Sequence, residues 1–152
     1  MSRGCQSGCE QESRRLLLAA NGAAIASLVP VILYQLGAVK HLPDPPAEIF
    51  DSDRITGSKI AHPLGIPDGL LGIASYGTTL ALAAMACRSK TAGRLLGAKL
   101  VLDGGAATFN TSRQIVRFGK LCSWCMGTVA ATGVMVYAGR QFISRVFCDK
   151  NA

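Results

Sequence analysis

The chain is short of charge, of acid and of aromatic side chains. Only 16% of its 152 residues are charged, against about 25% in an ordinary soluble domain. About half are nevertheless apolar, 49%, and that balance excludes intrinsic disorder. Aromatic residues make up 6%, with a single tryptophan, too few for a soluble core built on large side chains. The same scarcity leaves the +7 formal charge without the aromatic interleaving or basic stripe that marks a nucleic-acid binder. Internal repeats and low-complexity tracts are absent as well. In their place stand Ala, Leu, Val and 17 glycines, the small-residue palette of closely packed membrane helices.

Three stretches carry no charged residue: Leu16–Val39, Gly69–Cys87 and Leu121–Gly139. Each is on the order of the 20 residues that a hydrocarbon layer takes. A fourth candidate, Arg94–Ile115, is interrupted by Lys99 and Asp103. These two are four apart and share a helix face. They are either a functional pair inside a bundle or a pair snorkelling near the end of a short span. At the N-terminus, Arg14 and Arg15 before an apolar run, with Ala24-Ile25-Ala26, imitate a signal peptide. The apolar character continues through Val29-Pro30-Val31-Ile32-Leu33, which favours a retained first helix with a kink at Pro30.

Lysine and arginine set the orientation. With four spans, Arg3, Arg14, Arg15, Arg88, Lys90, Arg94, Arg140, Arg145 and Lys150 share one face, and Lys40, Arg54, Lys59, Arg113, Arg117 and Lys120 the other. The excess, with the short acid-free turn from Arg88 to Arg94, places both termini in the cytoplasm. The connection Lys40–Pro67, with Pro43, Pro45, Pro46, Pro63 and Pro67, then lies outside as an ordered cap rich in turns. The expected fold is all-α: a polytopic membrane four-helix bundle over residues 16–142, with an external loop cap between helices 1 and 2. A cytoplasmic tail, 1–15, and a C-terminal tail, 143–152, flank it. Such a chain is a multi-pass integral membrane protein, of the inner or cell membrane if bacterial.

Cysteine carries the chemistry. Cys122-Ser123-Trp124-Cys125 opens the last span, at the non-cytoplasmic face in this orientation. Unpaired N–H groups and the dipole at a helix N-terminus favour a thiolate on Cys122. Two cysteines at this spacing can close a disulfide and store two electrons. They can equally be two small buried hydrophobes. Cys5 and Cys9 precede the first span and, in the cytoplasm, read as free thiols. Two cysteines alone make an incomplete zinc site. Cys87 and Cys148 fall at cytoplasmic helix ends without a nameable partner. The triplet Asn110-Thr111-Ser112 matches a glycosylation sequon inside a span, where the match is chance.

Two blocks resemble a known family. Gly57-Ser58-Lys59-Ile60-Ala61-His62-Pro63-Leu64-Gly65-Ile66-Pro67-Asp68-Gly69-Leu70-Leu71-Gly72, followed by Tyr76, is similar to the loop-to-second-helix signature of the vitamin K epoxide reductase family. The lead from Phe109 through Gln114 to Leu121-Cys122-Ser123-Trp124-Cys125 resembles that family's approach to its Cys-x-x-Cys motif. The resemblance covers about Leu16 to Arg140. It implies a four-helix membrane bundle whose redox pair faces a quinone. It also implies catalytic roles for Cys122, Cys125 and the loop serine Ser58, with Cys125 the sulfur nearer the quinone. Asp68 and Tyr76 fall on quinone-binding positions, and no metal is implied.

Three departures qualify what carries over. Asp68 stands where the family has an Asn that donates to a quinone carbonyl. A carboxylate donates only when protonated, so burial raises the pKa of Asp68 or the ligand is bound differently. Val129 stands where animal members have a Tyr, which removes the reason to expect vitamin K rather than another quinone. The segment Pro45-Pro46-Ala47-Glu48-Ile49-Phe50-Asp51-Ser52-Asp53 holds no cysteine, where the family carries a relay pair. Ser52 stands about where the second of that pair belongs.

Three functions therefore compete. The first is a membrane thiol-disulfide/quinone oxidoreductase, taking electrons from a thioredoxin-like thiol protein and passing them to a membrane quinone of unknown identity. The second is a redox-inactive assembly or structural subunit that keeps the fold. The third is a soft-metal binding or transport protein using the two thiolates, although His41 and His62 are confined to the loop.

Overall fold

The computed structural model describes residues 8–148, with side chains from Glu10 onward. Cys5 lies outside the described residues, as does the side chain of Cys9. The described chain is helical and contains no strand. Its elements are α1 (Gly8–Gln35), α2 (Ser52–Thr56), α3 (Asp68–Met85), α4 (Lys90–Phe118), α5 (Ser123–Ala138) and α6 (Arg140–Cys148). Two short 3-10 turns, Lys59–Ala61 and Pro63–Gly65, lead into α3.

Helix α1 shows why the pattern works. Leu17, Ala20, Ala24, Leu28, Val31 and Ile32 are buried, at the three- and four-residue steps that keep one helix face inward. The helix runs through Pro30 without interruption. On α4 the inward stripe is Leu96, Leu100 and Asp103, continuing to Gln114; on α5 it is Ala131, Met135 and Ala138. These stripes meet in one core with Tyr76, Ala83 and Phe142. Small residues allow the close approaches. Gly97 on α4 lies so near the backbone of Phe142 that a methyl group there would collide with its carbonyl, and α6 is thereby laid against α4. Asn21 is fully buried in this core with neither amide atom hydrogen-bonded.

Within α1, residues Glu10–Gln35 are long and apolar enough to cross a membrane, and no other described helix is. Helices α3 and α5, of 18 and 16 residues, are shorter than the uncharged stretches around them. The charge-interrupted fourth segment is nevertheless one continuous helix of 29 residues. Lys99 and Asp103 lie in its interior rather than at its end.

One cysteine departs from expectation. Cys87, for which the sequence names no partner, is disulfide-bonded. Helices α1 and α3 run antiparallel, with Gly69 against Ile32 and Gly72 against Leu28, so the end of α3 returns Cys87 to the end of the molecule where α1 begins. A cytoplasmic placement of that end does not anticipate a disulfide. Cys148 is a free, exposed thiol.

Candidate functional site

The approach to Cys122 is built by backbone geometry. Helix α4 ends at Gly119, whose positive φ of 61° suits glycine and turns the chain sharply. The next residues are held extended: Leu121 donates to the Ile49 carbonyl at 2.7 Å and accepts from the Asp51 amide at 3.0 Å. Cys122 then becomes the N-cap of α5, its sulfur accepting the Cys125 amide hydrogen at 3.1 Å. An N–H aimed at a sulfur at a helix N-terminus favours the anionic form. The Cys122 amide itself donates to Gln114 Oε1 at 2.9 Å.

Above this turn sits a carboxylate cluster that the sequence reading missed. Asp44 Oδ1 accepts the hydroxyls of Ser52 and Ser123, each at 2.5 Å, and Oδ2 accepts the Ser52 amide at 2.7 Å. Ser52 Oγ accepts the Ser123 amide at 3.0 Å, and Trp124 Nε1 donates to the Pro43 carbonyl at 3.1 Å. Burial opposes the charge on Asp44, but these hydroxyl and amide donors outweigh it and hold the carboxyl below its usual range. The signal in the sequence was a lone acid between Pro43 and Pro45, too weak to read alone. Ser52 is therefore a fastener. With the loop closed on it, Cys122 is 0% exposed.

Cys125 faces the other way. It lines a cavity of about 420 Å³ together with Ser58, Asp68, Tyr76, Gln114 and Val129, a volume suited to a small organic ligand. The structure thus brings Cys125, Ser58, Asp68 and Tyr76 to one cavity and leaves Cys122 behind its wall. Ser58 Oγ donates to the Ile55 carbonyl at 2.7 Å, and Tyr76 pairs its hydroxyl with Thr132 Oγ1 at 2.7 Å. Asp68 opens α3, one residue ahead of the uncharged stretch. Burial pushes its carboxyl above the usual range, against the hydrogen bond from Gln35 and the charges of His62 and Arg113. Gln35 was also missed. From the end of α1 its Nε2 donates to Asp68 Oδ1 at 2.7 Å and to the carbonyls of Thr56 and Ala61, while its Oε1 accepts from Gly69. One amide thereby ties α1, the loop and α3 together.

The profile of the vitamin K epoxide reductase family matches residues 15–138. The chain belongs to the vitamin K epoxide reductase family. The match runs from α1 to the end of α5 and takes in the whole cavity and both cysteines. Members of the vitamin K epoxide reductase family are membrane-associated oxidoreductases. They are associated in general with quinones and thioredoxin-like partners. No match is found among curated proteins.

The fastening of Cys122 has a measurable consequence. In a Cys125→Ala, Cys148→Ser background, Asp44→Ala removes the acceptor of two hydroxyls and one amide. Charge-assisted hydrogen bonds contribute about 1.5–3 kcal/mol each, so maleimide labelling of Cys122 is expected to accelerate at least about tenfold. An unchanged rate, measured by mass spectrometry over time, would show that the loop does not limit access.

Proposed function

We propose that the chain is a four-span membrane thiol-disulfide/quinone oxidoreductase, with the Cys122–Cys125 pair at the face opposite the end where α1 begins. The observation that carries this reading is the division of labour between the sulfurs. Cys125 opens on the cavity, while Cys122, one turn away, lies beneath the polar loop that carries Asp44 and Ser52.

When the pair is oxidised, a partner's thiolate attacks Cys122 Sγ and releases Cys125 as the leaving thiol. A second partner thiol resolves the mixed disulfide, leaving the partner oxidised and both cysteines reduced. Re-forming the Cys122–Cys125 bond yields two electrons, for which a quinone is the acceptor. The cavity fits such a ligand on its own chemistry. Its walls are largely apolar, with Leu28, Val31, Leu71 and Phe118, and Asp68 is among its polar lining groups. Protonated Asp68 can donate from Oδ2 while Oδ1 keeps its bond from Gln35. Because the loop has no cysteine of its own, the thiol must come from another molecule, and a thioredoxin-like protein supplies the chemistry.

Thiol trapping in membranes tests the reading. With quinone added, the Cys122–Cys125 pair should shift from reduced to oxidised; a redox state indifferent to quinone would count against it. The absence of a loop cysteine favours a second reading, a redox-inactive subunit with the same fold. That reading predicts normal function after both cysteines are changed to Ser.

A further inference from the structure

Lys99 and Asp103 are a charged pair inside the packed helices. Their side chains are 19% and 9% exposed. Lys99 Nζ bonds Asp103 Oδ1 at 2.5 Å, Ser75 Oγ at 2.7 Å and Thr79 Oγ1 at 3.3 Å. Asp103 accepts in turn from Ser75 at 3.2 Å and Thr79 at 3.1 Å. An ionisable pair at this depth is costly and functional by default. Ser75 and Asp103 line the same cavity as Cys125 and Asp68.

The behaviour of Ser75 sets it apart. Thr78, Thr108 and Thr128 all turn their hydroxyls back onto the carbonyl four residues earlier, the usual resting place for such a side chain in a helix. Ser75 does not. Lys99 and Asp103 draw its hydroxyl across to α4, where it borders the cavity. On α3, Asp68 and Ser75 are seven residues apart, two turns along one face, or about 10.5 Å of rise. Allowing about 2.8 Å for a hydrogen bond at each end leaves about 5 Å, the span of a six-membered ring bearing two opposite oxygens. Leu71 and Gly72 lie between the two polar stations and also line the cavity.

Resting on the oxidoreductase reading above, we propose that Ser75, held in place by Lys99 and Asp103, binds the ligand oxygen remote from the cysteines. The ligand class is a ring with two opposed oxygens, gripped by Asp68 at one and by Ser75 at the other. A hydroxyl suits both redox states of such a ligand, since it donates to a carbonyl and accepts from a phenol. Turning Ser75 toward the ligand costs Asp103 one contact and leaves its bonds from Lys99 and Thr79 intact. Ser75 touches the ligand; Lys99 and Asp103 are positioning residues.

Trp124 is the sole tryptophan and precedes Cys125, so quenching of its fluorescence reports binding without turnover. The full chain in detergent is titrated with menadione. Ser75→Ala should weaken binding about five- to tenfold, and Ser75→Thr should restore most of it. Lys99→Met with Asp103→Leu replaces the pair by apolar side chains, a change that buried pairs often tolerate. It should weaken binding as much as Ser75→Ala, and combining all three changes should weaken it no further. Undiminished affinity in Ser75→Ala, or fully additive losses, overturns the assignment while leaving the quinone reading intact. Failure of the unaltered protein to bind menadione or a short-chain ubiquinone overturns both.

Discussion

Changing Cys125 to Ser should leave Cys122 joined to its thiol partner in a mixed disulfide, visible as a reducible adduct on non-reducing gels. The Cys122 thiolate opens an oxidised partner's disulfide and frees that partner's second thiol. Without Cys125 no other described sulfur lies within reach of the adduct. With a partner disulfide whose freed half is a separate small thiol, washed away, the adduct persists. Cys148 is exposed, but it ends α6, at the far end of α5 from Cys122. Cys122→Ser should trap nothing, because Cys125 lies in the cavity wall and away from the loop. Either change removes one half of the two-electron couple, so turnover should fall on the order of 10³-fold or more. Since Ser52 and Asp44 cover Cys122, the adduct should form faster when Asp44→Ala is added to Cys125→Ser. A well-expressed protein that yields no adduct in either cysteine variant would move the reading to the structural subunit.

Asp68 should make quinone reduction fall as pH rises. Its carboxyl is displaced upward by burial, so the protonated, donating form persists above the ordinary carboxylate range. Below that raised pKa the group donates; as pH rises through it, the proton is lost and a carboxylate faces a ligand carbonyl that only accepts. The loss should approach tenfold per pH unit above the pKa. Asp68→Asn supplies an amide donor at every pH and keeps an oxygen for Gln35, so it should retain turnover and flatten the profile. An Asn variant with the same pH dependence would show that another group titrates.

The two predictions differ in how far the sequence alone reaches. The Cys-x-x-Cys pair, the glycine- and alanine-rich stretches and the run from Gly57 to Tyr76 are local patterns. Spacing or motif sufficed to single them out, and from them the all-helical class, the family and the residues now found around the cavity were legible. Helix length was less so. Charge-free stretches mark where a membrane tolerates the chain, whereas helix ends depend on turns such as Gly119 and on capping by Cys122. Only the tertiary structure decided that Cys122 is buried, because its cover comes from Asp44 and Ser52, far away in sequence. The same holds for Gln35, whose four bonds reach from α1 into the loop and α3, and for the Cys87 disulfide, at the end of α3 that antiparallel packing sets beside the beginning of α1. Lys99 and Asp103 show the division most plainly. Their spacing predicted a shared helix face, but whether that face met lipid or another helix depended on Ser75 and Thr79 of α3 lying opposite, and pairing across helices leaves no periodicity in a single sequence.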